Sequence, residues 1–127
     1  AYTQLSNTET QLPLPFIPPL SIRNEIDYEW ELENKKINQI NFRVSYQYFA
    51  AQNRVDRNER TTPAYQLINV GIGLNPLILK REISFSLQIN NLLNTAYFNH
   101  ISRWRQIGLP EPGRNISLYL KIPINKK

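Results

Sequence analysis

Cysteine is absent from the 127-residue sequence, which also contains no methionine, one histidine and four glycines. Without cysteine the chain forms no disulfide, holds no metal through thiolates and has no cysteine nucleophile. Because a nascent chain starts with methionine, we expect Ala1 not to be a translation start and the chain to be a processed product, a recombinant product or a fragment. The first residues show no basic stretch followed by an apolar one, so they predict no signal peptide.

Histidine is scarce enough to limit catalysis. His100 stands alone, and no aspartate or glutamate lies near it in the sequence. A Ser-His-Asp site or a hydrolytic metal site would therefore depend on one unsupported imidazole. The sequence predicts that the protein is not an enzyme, with no catalytic residue, no metal site and no cofactor.

Positive charge is not concentrated in any one part of the sequence. The 15 lysines and arginines and 10 aspartates and glutamates give a formal net charge of +5. The basic residues fall in small separate groups, whereas a nucleic-acid surface needs a contiguous basic face with interleaved aromatics, so no nucleic-acid partner is predicted. No window approaches the roughly 18 consecutive apolar residues of a membrane-spanning helix, which excludes a helical membrane protein.

The sequence does contain long stretches of strict alternation between apolar and polar residues, within a length typical of one domain. From Leu20 to Leu32 the even positions are apolar except for Asn24, and the odd positions are polar. A period of two predicts a strand with one apolar face, because a helix would scatter the same residues over both faces. The pattern predicts four more strands, at about 40–50, 64–74, 83–90 and 116–124, with a turn at Asn75–Pro76 and loops at 51–63 and 94–113.

Two all-β classes fit five strands with one apolar face: a soluble sandwich and a membrane barrel. Three observations favour the barrel. The predicted strands are longer than the usual length of about 5–6 residues and match the roughly 9–11 residues that cross a bilayer with tilt. The first strand carries a column of charged residues on one face. Short and long connections alternate along the chain, which is typical of outer-membrane barrels.

Five strands do not close a barrel. At roughly 4.8 Å per strand they form an open sheet about 24 Å wide, and the smallest membrane barrels have about eight strands. Unpaired edges are not tolerated in hydrocarbon. We therefore expect the remaining strands to come from another part of the protein or from another chain.

Three motifs resemble those of TonB-dependent outer-membrane receptors. The run ERTTPAYQLIN at 59–69 resembles a family signature with a glutamate, a Thr-Pro pair and a tyrosine. The run NNLLNTAY at 90–97 is similar to the NL motif near the family's C-terminus, and EPGRN at 111–115 is similar to the PGR that opens its last strand. The proline-marked run at 14–19 fits the entry to a strand. The resemblance covers essentially the whole chain, in the family's order.

The resemblance implies that residues 1–127 are the C-terminal portion of a 22-stranded antiparallel transmembrane β-barrel, supplying about its last five strands. In this family an N-terminal plug fills the lumen, and a scarce nutrient is imported with energy delivered through TonB. The implied location is the outer membrane of a Gram-negative cell. The implied cargo is a metal chelate such as a siderophore, haem or cobalamin. A glycan or peptide carried by the same fold, and a soluble β-sandwich binding module, stay as alternatives.

The implied partners are the plug and the remaining strands of the same receptor, TonB through the plug, outer-membrane lipid and lipopolysaccharide, and the small-molecule or metal-chelate ligand. With the C-terminus periplasmic, the segments 51–63 and 94–113 lie outside the cell. A 20-residue loop without secondary structure is uncommon unless it is functional or mobile. We expect 94–113 to fold over the outer mouth and to capture ligand, and its candidate residues are His100, Arg103, Trp104 and Arg105.

A second group of candidates points from the polar faces of the strands towards the lumen and the plug: Arg23, Glu25, Asp27, Glu29, Arg43, Gln88 and Arg114. Neighbouring carboxylates can act as acid and base, but we expect this set to bind plug arginines and water. Arg114 is expected to make a lumen or plug ion pair, and Gly113 to provide conformational freedom in a turn.

The apolar faces are expected to contact lipid through Leu20, Ile22, Ile26, Ile40, Phe42, Val44, Ile68, Val70, Ile72, Phe85, Leu87, Leu118 and Leu120. Tyr28 and Trp30 near one end, and Tyr46 and Tyr48 near the other, are placed as two aromatic girdles would be. We expect Val44→Arg to be destabilising and substitutions at Ser45 or Gln88, on the polar face, to be tolerated.

Overall fold

The computed structural model of the chain describes residues 2–32, 37–78 and 81–123. Its elements are β1 (Ser21–Glu31), β2 (Ile37–Phe49), β3 (Tyr65–Ile78), β4 (Arg81–Glu82), β5 (Ser84–Asn90), a 3₁₀ helix (Arg103–Ile107) and β6 (Asn115–Lys121). The described residues contain no helix whose length and hydrophobicity would let it span a bilayer.

The strands form one antiparallel sheet in the order β1-β2-β3-β5-β6, and the two-residue β4 pairs with β3. Each of the five long strands pairs with the long strand next to it in the chain, so β1 and β6 are the edge strands of the described sheet. The predicted all-β class and the predicted open, five-stranded antiparallel sheet are confirmed.

The strand bounds follow the alternating pattern closely, except at one predicted turn. The prediction of a turn at Asn75–Pro76 is wrong, because β3 continues through both residues to Ile78. Proline has no amide hydrogen to donate to a neighbouring strand, and Pro76 pairs with Ile37, next to a register shift in β2. Such an irregular strand end is where a sheet accepts proline. Ile124, predicted for the last strand, lies outside the described residues.

The register sorts the side chains of the sheet by polarity. Alternate residues of a strand point to opposite faces, and directly paired residues share a face. Three rows that cross all five long strands are wholly apolar, and we call the surface that they form the apolar face. These rows are Ile26–Val44–Val70–Ile89–Ile116, Tyr28–Phe42–Ile72–Leu87–Leu118 and Trp30–Ile40–Leu74–Phe85–Leu120.

The opposite surface, which we call the polar face, carries the charged residues of β1 and β2. Two rows lie between the apolar rows in the register and alternate with them along each strand. They are Asp27–Arg43–Gly71–Gln88–Ser117 and Glu29–Asn41–Gly73–Ser86–Tyr119. The predicted division of the strand residues between two faces is therefore confirmed.

No other described part of the chain packs over the apolar face. Ile26, Ile116 and Leu118 are 68%, 63% and 62% exposed. The buried hydrophobic residues of the described chain are Ile17 and Tyr65, and both lie near one end of the sheet. Contiguous apolar surface of this kind marks a face that contacts something other than water.

The two long connecting segments, 50–64 and 91–114, meet the segment before β1 at one end of the sheet, which we call the loop end. There the amide of Ala50 donates to the carbonyl oxygen of Leu20 at 2.9 Å, and Gln52 and Thr62 form an antiparallel bridge. The last residues of β1, β3 and β6 lie at the opposite end of the sheet. The predicted alternation of short and long connections is confirmed.

Candidate functional site

A stack of three aromatic rings holds the segment 91–114 over the polar face. Phe49 and Tyr65 are paired neighbours on β2 and β3, at positions that point to the polar face. Their ring centroids are 4.6 Å apart, and Tyr97 of the loop stacks on Tyr65 at 4.5 Å. Burial raises the pKa of the Tyr97 hydroxyl, and the nearby Glu111 carboxylate raises it further. The loop therefore folds inward across the loop end of the polar face.

Asn91 turns the chain from β5 into this loop. Its side-chain amide donates to the Thr95 carbonyl oxygen and accepts from the Thr95 amide, both at 2.9 Å. Its own backbone amide donates to Oδ1 of Asn69 at 2.9 Å. Asn91 has a φ of 52°, a conformation that asparagine adopts more readily than most residues. These contacts give Asn91, the second residue of the NNLLNTAY run, a structural role.

Gly113 lies close to a side chain of the loop and does not use the backbone freedom that we expected. Its φ is not in the left-handed region. A Cβ at Gly113 would lie 2.6 Å from Oδ1 of Asn94. The same oxygen accepts the amide hydrogen of Arg114 at 2.8 Å, so Asn94 joins the start of the loop to the start of β6.

A buried ion pair joins the two long loops. Nη2 of Arg105 donates to Oε1 of Glu59 at 2.8 Å, and the two side chains are 4% and 5% exposed. Nη1 of Arg105 donates to the carbonyl oxygen of Arg60. Glu59 also accepts the amide hydrogen of Phe16 at 3.0 Å, which ties in the segment before β1. Breaking a buried pair from one side leaves an uncompensated charge and costs about 3–5 kcal/mol.

His100 is packed against the same carboxylate. The residue is 1% exposed, its Nδ1 lies 3.0 Å from the Thr62 hydroxyl, and its Nε2 lies 3.2 Å from Oε1 of Glu59. Burial lowers the pKa of His100 and the Arg105 charge lowers it further, while Glu59 opposes both effects. A carboxylate offers acceptors alone, so the geometry fits a neutral ring with its proton on Nε2 and with Nδ1 accepting from Thr62.

Thr62, His100 and Glu59 place a hydroxyl, an imidazole and a carboxylate in the same spatial order as the groups of a hydrolytic triad. In a triad the hydroxyl must reach the substrate carbonyl, but Thr62 is 3% exposed and its hydroxyl faces the imidazole. In this arrangement a substrate has no access to the oxygen. The cluster can hold three chain segments together, which is a structural task.

The four loop candidates separate into two buried and two exposed residues. His100 and Arg105 are buried in the cluster with Glu59, whereas Arg103 and Trp104 are exposed, the indole by 60%. A ligand that approaches this loop therefore meets Arg103 and Trp104 first.

The segment 94–113 is not free of secondary structure as we expected, because the 3₁₀ helix begins at Arg103. The hydroxyl of Ser102 caps its first turn by accepting the amide hydrogen of Trp104 at 3.3 Å. Gly108, at a φ of 75°, ends it. In a 3₁₀ helix residues three apart share a face, so Trp104 and the 68% exposed Ile107 form one apolar surface.

The polar face forms a groove of about 480 Å³. Six of the predicted lumen-facing residues line it, namely Arg23, Glu25, Asp27, Glu29, Arg43 and Gln88. Arg114 is exposed at the start of β6 and is not among the lining residues, and no ion pair involves it within the described part of the chain.

On the floor of the groove one ion pair lies within β1, and two others join β2 to β1. Nη2 of Arg23 lies 2.6 Å from Oε2 of Glu25, and Nε of Arg43 contacts Asp27 and lies 3.5 Å from Oε1 of Glu25. Glu29 has no salt bridge to any described residue. The lining thus contains two guanidinium groups and three carboxylates, so its net charge is −1. Exposed pairs of this kind contribute about 0–1 kcal/mol each.

Ser45 differs from the exposed polar position that we expected. It is 5% exposed, and its hydroxyl accepts from Nδ2 of Asn69 at 3.0 Å. A larger side chain at Ser45 would have to displace that contact. The tolerant position on the polar face is therefore Gln88, which is exposed.

Glu59 and Thr62 were not among the predicted site residues, although both belong to the ERTTPAYQLIN run. Their partners His100 and Arg105 lie about 40 residues away in another loop, and no local period connects the two segments. The sequence did offer one signal: the ERTTPAYQLIN and NNLLNTAY runs lie at the ends of the two loops that contact each other in this cluster.

The described residues contain no group of three or more histidine, aspartate or glutamate side chains placed to hold a metal ion. Comparison of the chain with protein-family models, with curated proteins and with solved structures returns no match.

Proposed function

We propose that this chain is the C-terminal wall of a plugged, 22-stranded outer-membrane barrel, in a TonB-dependent receptor that imports a metal chelate. The observation that carries the proposal is the apolar face. Three unbroken apolar rows cross five strands, and nothing in the described chain packs over them. A bilayer would cover such a face, and strands that alternate apolar-out and polar-in are typical of membrane barrels.

The lengths of β2 and β3 support this assignment, whereas β5 and β6 have seven residues each, fewer than a crossing strand needs. β2 and β3 have 13 and 14 residues, above the roughly 9–11 that cross hydrocarbon when tilted. The edge strands β1 and β6 would then pair with the earlier strands of the same receptor, because an open edge is not tolerated in lipid. The fold would consequently be complete in the whole receptor.

The polar face fits the lumen of such a barrel. Its groove is wide enough to take protein side chains, and its excess of one carboxylate favours a basic partner. In the proposed receptor that partner is the plug, which transmits the pull of TonB. The loop end then faces the medium and the short connections face the periplasm.

The exposed surface of the 3₁₀ helix supports an anionic or planar cargo. Trp104 offers an uncovered indole and Arg103 an exposed guanidinium beside it, and residues 97–110 contain no aspartate or glutamate. Stacking on the indole together with a charge-assisted hydrogen bond would bind a chelate with carboxylate or phenolate groups. A glycan or a peptide carried by the same fold is the alternative cargo.

Membrane partition tests the fold assignment. The full-length protein should sediment with outer membranes and should require detergent for extraction. A soluble β-sandwich module would need a second sheet over the apolar face and would stay in the supernatant. Extraction into buffer without detergent would therefore refute the membrane proposal.

A panel of nutrient sources tests the cargo. A strain lacking the receptor should lose growth on one iron or cobalamin source and keep growth on glycans and peptides. The variant Arg103→Ala/Trp104→Ala, with the buried Arg105 intact, should bind the identified chelate at least about tenfold more weakly, as expected for an aromatic and arginine hot spot. Detergent-purified receptor should be used, so that lipopolysaccharide does not compete. Unchanged affinity would remove this surface from the ligand site.

A further inference from the structure

We propose that Glu59, His100 and Arg105 form a pH-sensitive switch that joins the two long loops at neutral pH and releases them in acid. We call these three residues the loop switch. The inference goes beyond transport, because it concerns the cohesion of the loops and holds whatever the cargo is.

One carboxylate is the centre of the loop switch. Oε1 of Glu59 is 2.8 Å from Nη2 of Arg105, 3.0 Å from the amide nitrogen of Phe16 and 3.2 Å from Nε2 of His100. With a neutral imidazole, the buried cluster contains one positive and one negative charge and is balanced. All three side chains are at least nine-tenths buried, so solvent screens these charges weakly.

Protonation of His100 would upset this balance. The cluster would then hold two cations against one carboxylate, at a place where burial already disfavours charge. Among the described residues, the ionisable groups that act on His100 are Arg105 from its own loop and Glu59 from the facing loop. Glu59 is the one anion among the described residues that acts on His100, so no second anion is in place to receive the added charge.

The size of the response follows from proton linkage. Burial and Arg105 lower the pKa of His100 in the closed loops, whereas in opened loops it returns to its ordinary value of 6.5. Because the pKa of His100 is lower in the closed loops, its contribution to closure is complete above pH 6.5. Below pH 6.5 the opened form binds the proton more readily, so this contribution declines. The opening equilibrium should therefore rise as the pH falls below 6.5, by at most about tenfold per pH unit.

Hydrogen exchange of the full-length protein measures this opening at the amides that the loops protect. The reporters are the amides of Gln52, Thr62, Gly108 and Glu111, each bonded to a backbone carbonyl within one of the two loops. After correction for intrinsic rates, protection in both loops should fall together from pH 7.5 to 5.5, by at most about tenfold. Amides in the centre of β3 should keep their protection. Constant protection of the loops, or a fall in one loop alone, would overturn the proposal.

Substitution assigns the effect to the imidazole. His100→Gln places a neutral amide donor towards Glu59 and should keep both loops protected at pH 5.5. Glu59→Gln removes the central charge and should open both loops at either pH. If His100→Gln responds to acid like the wild type, another group is responsible and the proposal fails. Should the variant not fold, the pH dependence of the wild-type protein still decides.

Discussion

Leu87 lies in the middle apolar row, between Ile72 on β3 and Leu118 on β6. Its neighbour in sequence, Gln88, points to the polar face and lines the groove. The two residues form a matched pair, because one strand position separates lipid from lumen in the proposed barrel. We expect Leu87→Arg to be strongly destabilising and Gln88→Arg to be tolerated.

The magnitude follows from depth in the bilayer. Ile72, in the same row, is seven residues from the start of β3 and six from its end. At about 3.3 Å per residue and a tilt of about 45°, it lies roughly 14–16 Å from either end, close to the middle of a 30 Å core. Arginine at the midplane of a membrane barrel costs about 2–4 kcal/mol, which lowers the folding equilibrium constant roughly 30- to 700-fold.

Equilibrium unfolding of the full-length protein in lipid vesicles, followed with increasing guanidinium chloride, measures this difference. Leu87→Arg should lower the free energy of unfolding by about 2–4 kcal/mol, and Gln88→Arg should lower it by less than about 0.5 kcal/mol, as for most surface substitutions. Equal free energies for the two variants would refute the assignment of the apolar face to lipid.

Three further predictions concern single side chains. Arg105→Met should increase protease cleavage in both long loops, because removing one member of the buried Arg105–Glu59 pair costs about 3–5 kcal/mol. Arg103 is exposed, so Arg103→Met should be cleaved at the same rate as the wild type. Burial raises the pKa of Tyr97 above 10.0, so the neutral phenol stabilises the loop below pH 10 and this stabilisation is lost as the pH rises further. Tyr97→Phe should retain loop hydrogen-exchange protection at pH 11, where the wild type loses it. Gly73→Ala should lower the midpoint of denaturant unfolding in micelles, because the added Cβ would lie 2.8 Å from Cγ of Asn41. Gly71→Ala is the control and should leave the midpoint unchanged, because its nearest contact would be 3.8 Å away.

The sheet could be predicted from the sequence because the interactions that define it are periodic. Alternation over β1 and β2 is nearly complete, so residues such as Ile26 and Asp27 could be assigned to opposite faces before any partner was known. Once every strand has one apolar face, antiparallel pairing of chain neighbours brings those faces together. The groove residues followed from the same period, since Arg43 and Gln88 could point nowhere else.

The loop cluster could not be predicted because its energy comes from pairs far apart in sequence. Arg105 resembles Arg103 in every local respect, yet one is buried against Glu59 and the other is exposed. His100 was expected at the surface, and its burial depends on Thr62 in another loop. Pro76 was misassigned for a related reason: a register shift in the facing strand allows it within β3.

The order of the strands has a consequence for how the chain assembles in time. Each pairing joins neighbours in the chain, so hairpins with short connections can form early at small entropic cost, while the segments 50–64 and 91–114 close larger loops. The contact between Glu59 and Arg105 requires both long segments, so we expect it to form after the main kinetic barrier. A substitution there should accelerate unfolding and leave the folding rate nearly unchanged, so the loop end would determine how long the folded state lasts and not how fast it is reached.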